Sequence, residues 1–106
     1  MLDVRGARKR LKTAKELLHD PTPEHHQEVR EDLLNAYQTL TTLAHDVVDL
    51  PSKPLLLQDF RLNHNWSRDL IEDALLCLDD VKTHRTQREK LLMTAAEYVR
   101  EAYLLI

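Results

Sequence analysis

Apolar residues recur along this chain at alternating spacings of four and three, in three runs. Val4, Ala7, Leu11, Ala14 and Leu18 form the first run, and Val29, Leu33, Ala36, Leu40, Leu43, Val47 and Leu50 the second. The third is Ile71, Ala74, Leu78 and Val81, then Leu92, Ala95, Val99, Ala102 and Ile106, with Arg85 and Arg88 at the intervening positions of the same repeat. That period belongs to a helix burying one stripe and, when sustained, to a coiled-coil-like seam. The three runs predict helices over about residues 2–20, 23–50 and 66–106.

The punctuation between the runs agrees with these bounds. Asp20-Pro21-Thr22-Pro23 places two residues that lack a backbone donor inside a short connection. Thr22 is the expected N-cap of the second helix, Pro23 its first residue, and Glu24 sits in the positive field of its first turn. Pro51 and Pro54 close the second run. The segment after them carries Leu55, Leu56, Leu57, Phe60 and Leu62, too apolar to be a plain solvated loop. It is read as a helical turn over the bundle end or a docking segment for a second chain, with Asn65 or Ser67 capping the third helix.

The third run poses one question, whether it breaks near 84–87. Thr86-Gln-Arg-Glu89 has the spacing of a capping box, which would begin a fourth helix. Against a break, the connection contains neither Gly nor Asn, Asp80–His84 and Arg85–Glu89 are spaced for pairing along one helix, and the heptad phase is kept across it. The balance favours one continuous helix of roughly 60 Å at a rise of about 1.5 Å per residue. Such a helix would outreach its partners, and Leu92, Ala95, Val99, Ala102 and Ile106 would then bury their faces only against another copy of the chain.

Composition supports the helical reading. One Gly and four Pro, with abundant Leu, Ala, Glu, Lys and Arg, leave little turn chemistry for strands. At 106 residues the chain is expected to be a single domain, 1–106, with one core. The predicted fold is an all-α antiparallel helical bundle of three to four helices. A lone Cys77 excludes an intrachain disulfide framework and fits a reducing, cytoplasmic setting. No apolar stretch approaches the roughly 20 residues that span a bilayer.

Charge adds one asymmetry. Residues 1–15 hold Arg5, Arg8, Lys9, Arg10, Lys12 and Lys15 against Asp3 alone, about five positive charges, so the remainder carries about eight negative ones in a chain of net charge −3. This basic face could bind nucleic-acid phosphates, or pair with the acidic remainder, for instance Arg8 or Lys12 with Glu28, Glu31 or Asp32. No aromatic residue interleaves the basic run, and the Pro-rich connection after it does not suit a helix-turn-helix.

Other chemistry finds little support. Di-iron bundles use two Glu-x-x-His motifs, and this chain has one, Glu16–His19. His45 with Asp49, and His64 in Arg61-Leu-Asn-His64-Asn65, are the remaining candidates for a metal-binding or hydrolytic site, too sparse for a metal or cofactor to be expected. Cys77 among Leu75, Leu76 and Leu78 reads as a buried, inert thiol. The expected function is therefore not catalysis. It is a protein–protein interaction module, an adaptor, assembly factor or regulator, that self-associates as a homodimer or meets another helical protein through its C-terminal helix. A nucleic-acid-associated protein is the alternative.

Overall fold

The computed structural model describes residues 3–20, 22–45 and 60–106, with side chains from His64 onward in the last stretch. Among the described residues the α-helices are α1 Val4–Leu17, α2 Pro23–Leu43, α3 Phe60–Val81 and α4 Arg88–Leu105, the last entered through a 3₁₀ turn at Arg85–Gln87. No strand occurs among the described residues, and the all-α bundle reading holds. None of these helices is long and apolar enough to cross a membrane.

Local chemistry explains most of the helix ends. The Asp3 carboxylate accepts from the Gly6 N–H at 2.8 Å, a cap of about 1 kcal/mol that offsets a similar penalty for Gly6 in the first turn. Thr22 Oγ1 accepts from the His25 N–H at 3.1 Å, with Pro23 beginning α2 as expected. At its other end α2 stops at Leu43, because His45 adopts φ 60°, a left-handed terminator normally supplied by Gly or Asn. Val47, Leu50, Leu55, Leu56 and Leu57 lie outside the described residues. α3 begins at Phe60 rather than 66, so Asn65 and Ser67 lie within the helix instead of capping it.

The expectation of one helix over 66–106 is corrected. The chain leaves α3 at Val81 and reverses through residues 82–87. The Asp80 main-chain carbonyl gathers the donors of the turn, accepting from the Thr83 N–H at 3.1 Å, the His84 N–H at 3.0 Å and Thr83 Oγ1 at 3.1 Å. His84, at φ −120° and ψ 67°, redirects the backbone. The Thr86–Glu89 capping box is not made: Thr86 lies in the 3₁₀ turn, and Gln87 caps α4 without a side-chain bond. The physical reason for the break is the pair of seam arginines. A continuous helix would drive Arg85 and Arg88 into an apolar stripe, whereas the turn leaves Arg85 exposed and Arg88 half-exposed. Instead of a 60 Å rod, the bundle measures 41 × 24 × 22 Å.

Cross-helix contacts set the directions. Arg8 meets Asp79 and Lys15 meets Glu72, so α1 and α3 are antiparallel. Ser67 meets Ala102 and His26 meets Ile106, so α4 is antiparallel to both α3 and α2. α2 and α3 consequently start at the same end and run parallel across the diagonal, the arrangement of bundles with one crossover rather than of a plain up-and-down bundle.

The core fills this frame with Leu11, Leu33, Leu40, Ile71, Leu78, Leu92, Val29 and Val99, all fully buried. Ala7, Ala14, Ala36, Ala74, Ala95 and Ala102 let the helices approach closely.

The last carbonyls of α4 lie beyond the helix's own donors and are met from neighbouring helices. The buried Ser67 hydroxyl donates to the Ala102 carbonyl at 3.0 Å, and His26 Nε2 donates to the Ile106 main-chain oxygen at 2.9 Å. Ser67→Val is expected to lower unfolding free energy by about 1–3 kcal/mol, since it leaves a buried acceptor unmet. Urea denaturation checks this, and a midpoint unchanged from wild type would remove the bond from the account.

Candidate interaction surface

The five residues expected to mediate self-association do not form a surface. Leu92, Ala95, Val99 and Ala102 are fully buried, and Ile106 is 7 % exposed, all inside the core of the single chain. Their periodicity reports packing of α4 against α3 and α2, and reversal at 82–87 supplies from within the monomer the partner that a projecting helix would have lacked.

The basic residues of α1 divide into two sets. Arg8 pairs with Asp79 at 2.6 Å, Arg10 with Asp32 at 3.0 Å and Lys15 with Glu72, joining α1 to α3, α2 and α3 in turn. Asp32 is almost buried, so the Arg10 guanidinium compensates a carboxylate that could not otherwise sit there. Arg5, Lys9 and Lys12 stay exposed, on a shallow face shared with Thr13 and Glu16. Pairing with the acidic remainder was expected, although with partly different residues: Arg10 meets Asp32, whereas Arg8 finds Asp79. Counting Asp3, Glu16 and the three partner carboxylates, the six cations face five acids, so little net positive charge is left for a phosphate backbone.

The histidine candidates separate. His45 is exposed at the C-terminus of α2, and Asp49 lies outside the described residues. His64 is buried at 2 % exposure in α3, its ring tilted 37° against that of His26 from α2, with centroids 5.8 Å apart. Burial holds its pKa below the ordinary histidine value, and the neighbouring His26 and Arg68 push it the same way. Among the described residues no three His, Cys, Asp or Glu side chains converge as a metal site would require. Burial likewise raises the Cys77 thiol, helped by Asp80 and Asp73, which disfavours the nucleophilic thiolate.

What remains unpartnered lies on α3. Trp66 is 56 % exposed and Leu76 54 %, the two large apolar residues of the described chain most open to water. They belong to a second stripe, Trp66, Asp69, Asp73, Leu76 and Asp80, which repeats at three and four on the face away from the core. Trp66 stands over a groove of about 290 Å³, lined with Leu70, Glu101, Leu104 and Leu105, where the start of α3 meets the end of α4. Glu97 lies one turn before Glu101 on the exposed side of α4. Leu104 and Leu105 are half-buried while Ile106 turns inward, so the apolar C-terminal residues serve both the core and this groove. The spacing of Trp66 and Leu76 was readable from the outset. It passes unnoticed because the stronger core repeat occupies the same helix.

No known protein family, curated protein or solved structure matches the chain, so a functional reading rests on its own geometry.

Proposed function

We propose that this chain is a protein–protein interaction module whose contact surface is the outer face of α3 with the adjoining end of α4. The observation that carries this reading is the exposure of Trp66 beside an apolar groove. Tryptophan buries a large area at low entropic cost and is enriched where interfaces concentrate their binding energy, whereas an indole left in water contributes nothing to a monomer's core. Two further features support it: three of the six cations of the basic helix, Arg8, Arg10 and Lys15, are paired with carboxylates of their own chain, and Cys77 sits where the thiolate is disfavoured. An adaptor, an assembly factor and a regulator would all use such a surface. Self-association, if the module engages in it, would use this face rather than the buried stripe of α4.

Site-specific photocrosslinking in cells tests the reading. A benzophenone side chain at Leu104 is expected to give a discrete protein adduct that is lost in Trp66→Ser, while the same group at Glu31, on exposed α2, gives none. Trp66→Ser is expected to leave unfolding free energy within about 0.5 kcal/mol of wild type, because a half-exposed side chain lends the fold little. An adduct mass of twice the chain identifies a homodimer, and a different mass identifies another protein. Equal labelling from positions 104 and 31, or a large stability loss in Trp66→Ser, would overturn the reading.

A further inference from the structure

The charge around the groove narrows the kind of partner it fits. Asp69, Asp73 and Asp80 flank Trp66 and Leu76 along α3, all exposed. Across the groove, Glu101 lines the wall and Glu97 follows one turn away on α4. Among the described residues the nearby cations are Arg68, which bonds to His19 and Asn65, and the half-buried Arg100, one turn before Leu104 on α4. Lys90 lies at the far end of α4. The surface is therefore an apolar slot beside Trp66 flanked by carboxylates, with the exposed Leu76 about 15 Å further along α3 at a rise of about 1.5 Å per residue.

Resting on the interaction reading above, we infer that the α3–α4 face docks a cationic amphipathic helix, with apolar side chains seated beside Trp66 in the groove and Lys or Arg facing Asp69, Asp73, Glu97 and Glu101. A helix lying along the slot presents apolar residues at three-and-four spacing, the spacing of the stripe it would cover. Its positive flanks relieve a row of like charges that otherwise repel one another. An acidic helix would add to that repulsion, and nucleic acid would meet the same negative field. The basic helix of a second copy is a poorer occupant. α1 turns Ala7, Leu11 and Ala14 into its own core and exposes Arg5, Lys9, Arg10, Lys12, Thr13 and Glu16, with no exposed large apolar side chain to fill the groove.

The chain's one tryptophan lies in this surface and reports directly on its occupancy. A synthetic helix of about 18 residues with Leu at heptad spacing and Lys elsewhere, and its counterpart with Glu for Lys, serve as probes. Added to the full chain, the Lys peptide is expected to shift Trp66 emission to the blue, shield it from acrylamide quenching and bind less tightly as salt is raised. The Glu peptide is expected to do none of these. Asp69→Lys with Glu101→Lys should weaken the Lys peptide by about tenfold or more, while Glu28→Lys with Glu31→Lys, on exposed α2, should change it by less than about twofold. Equal binding of the two peptides, an equal loss from the α2 pair, or a blue shift produced by the chain's own concentration with no peptide would each overturn the inference. If the peptide fails while the Trp66-dependent crosslink from position 104 persists, only the partner's chemistry is wrong. Loss of both removes the interaction surface itself.

Discussion

Val99→Asp is expected to abolish folding, and not to separate two folded chains. Val99 is fully buried where α4 packs on α3 and α2, and no cation is paired with that position. An unpaired carboxylate there loses the burial of the valine and must give up either hydration or its charge, several kcal/mol in all. A domain of this size has about 5–15 kcal/mol of stability in total, so this one substitution removes much or all of it. Leu92→Ala, which leaves a cavity without a charge, is expected to cost about 2–5 kcal/mol and to lower the urea midpoint while keeping the transition cooperative. Far-UV circular dichroism and sedimentation together distinguish the outcomes. If Val99→Asp were a helical monomer with native urea resistance, α4 would have been stabilised by a second copy, and its place in the core would be wrong.

Acid is expected to weaken the fold through His64. In the unfolded chain its ring takes a proton near the ordinary value of 6.5, whereas in the bundle burial chiefly, and then His26 and Arg68, hold the pKa lower. Between the two values the unfolded chain holds a proton that the folded chain does not, so unfolding free energy rises with pH in that window. The contribution is complete above about pH 6.5, is lost as pH drops below it, and levels off below the folded-state pKa. Among the described residues, the charged groups acting on the ring are His26 from α2 and Arg68 from the next turn of α3, and both push its pKa down. Urea titrations at a series of pH values should therefore give a falling midpoint on acidification, and His64→Leu, similar in bulk and without a titrating ring, should flatten the slope over the same range. A wild-type midpoint that rises on acidification, or a slope that survives in His64→Leu, would contradict the assignment.

The same substitutions show how far the amino-acid pattern reaches. Thr22, Pro23 and Glu24 start α2 as their chemistry dictates, since capping depends only on neighbours a few residues away. Leu11, Leu33, Leu78 and Val99, each from a predicted stripe, are all buried, because helical period alone decides which side chains share a face. The break after Val81 was less legible. A heptad phase carried unbroken from Val81 to Leu92 looks like continuity, yet two helices joined by a short reversal satisfy it equally well. The two seam arginines were the signal that outweighs the phase, as each would have been buried in a straight helix.

Charge was legible only in sum. A basic first helix and an acidic remainder follow from counting residues, and attraction between them follows from their signs. That Arg8 meets Asp79 and Lys15 meets Glu72, however, depends on α1 and α3 lying side by side and antiparallel, with the members of the pairs 71 and 57 positions apart in the chain. Likewise Ser67, with the spacing of a helix cap, became the donor to Ala102 because α3 begins at Phe60 and α4 ends beside it.

Sequence alone therefore determined the helical class, the buried stripes, the start of α2 and the charge contrast, all of which rest on period, composition and local hydrogen bonding. Only the tertiary structure decided which stripe is spent. The face containing Leu92, Ala95, Val99, Ala102 and Ile106 closes the core, while Trp66 and Leu76 stay in water. A helix's period marks which residues share a face but not how many neighbours the chain's return path brings to it, and that number separates a core from a surface.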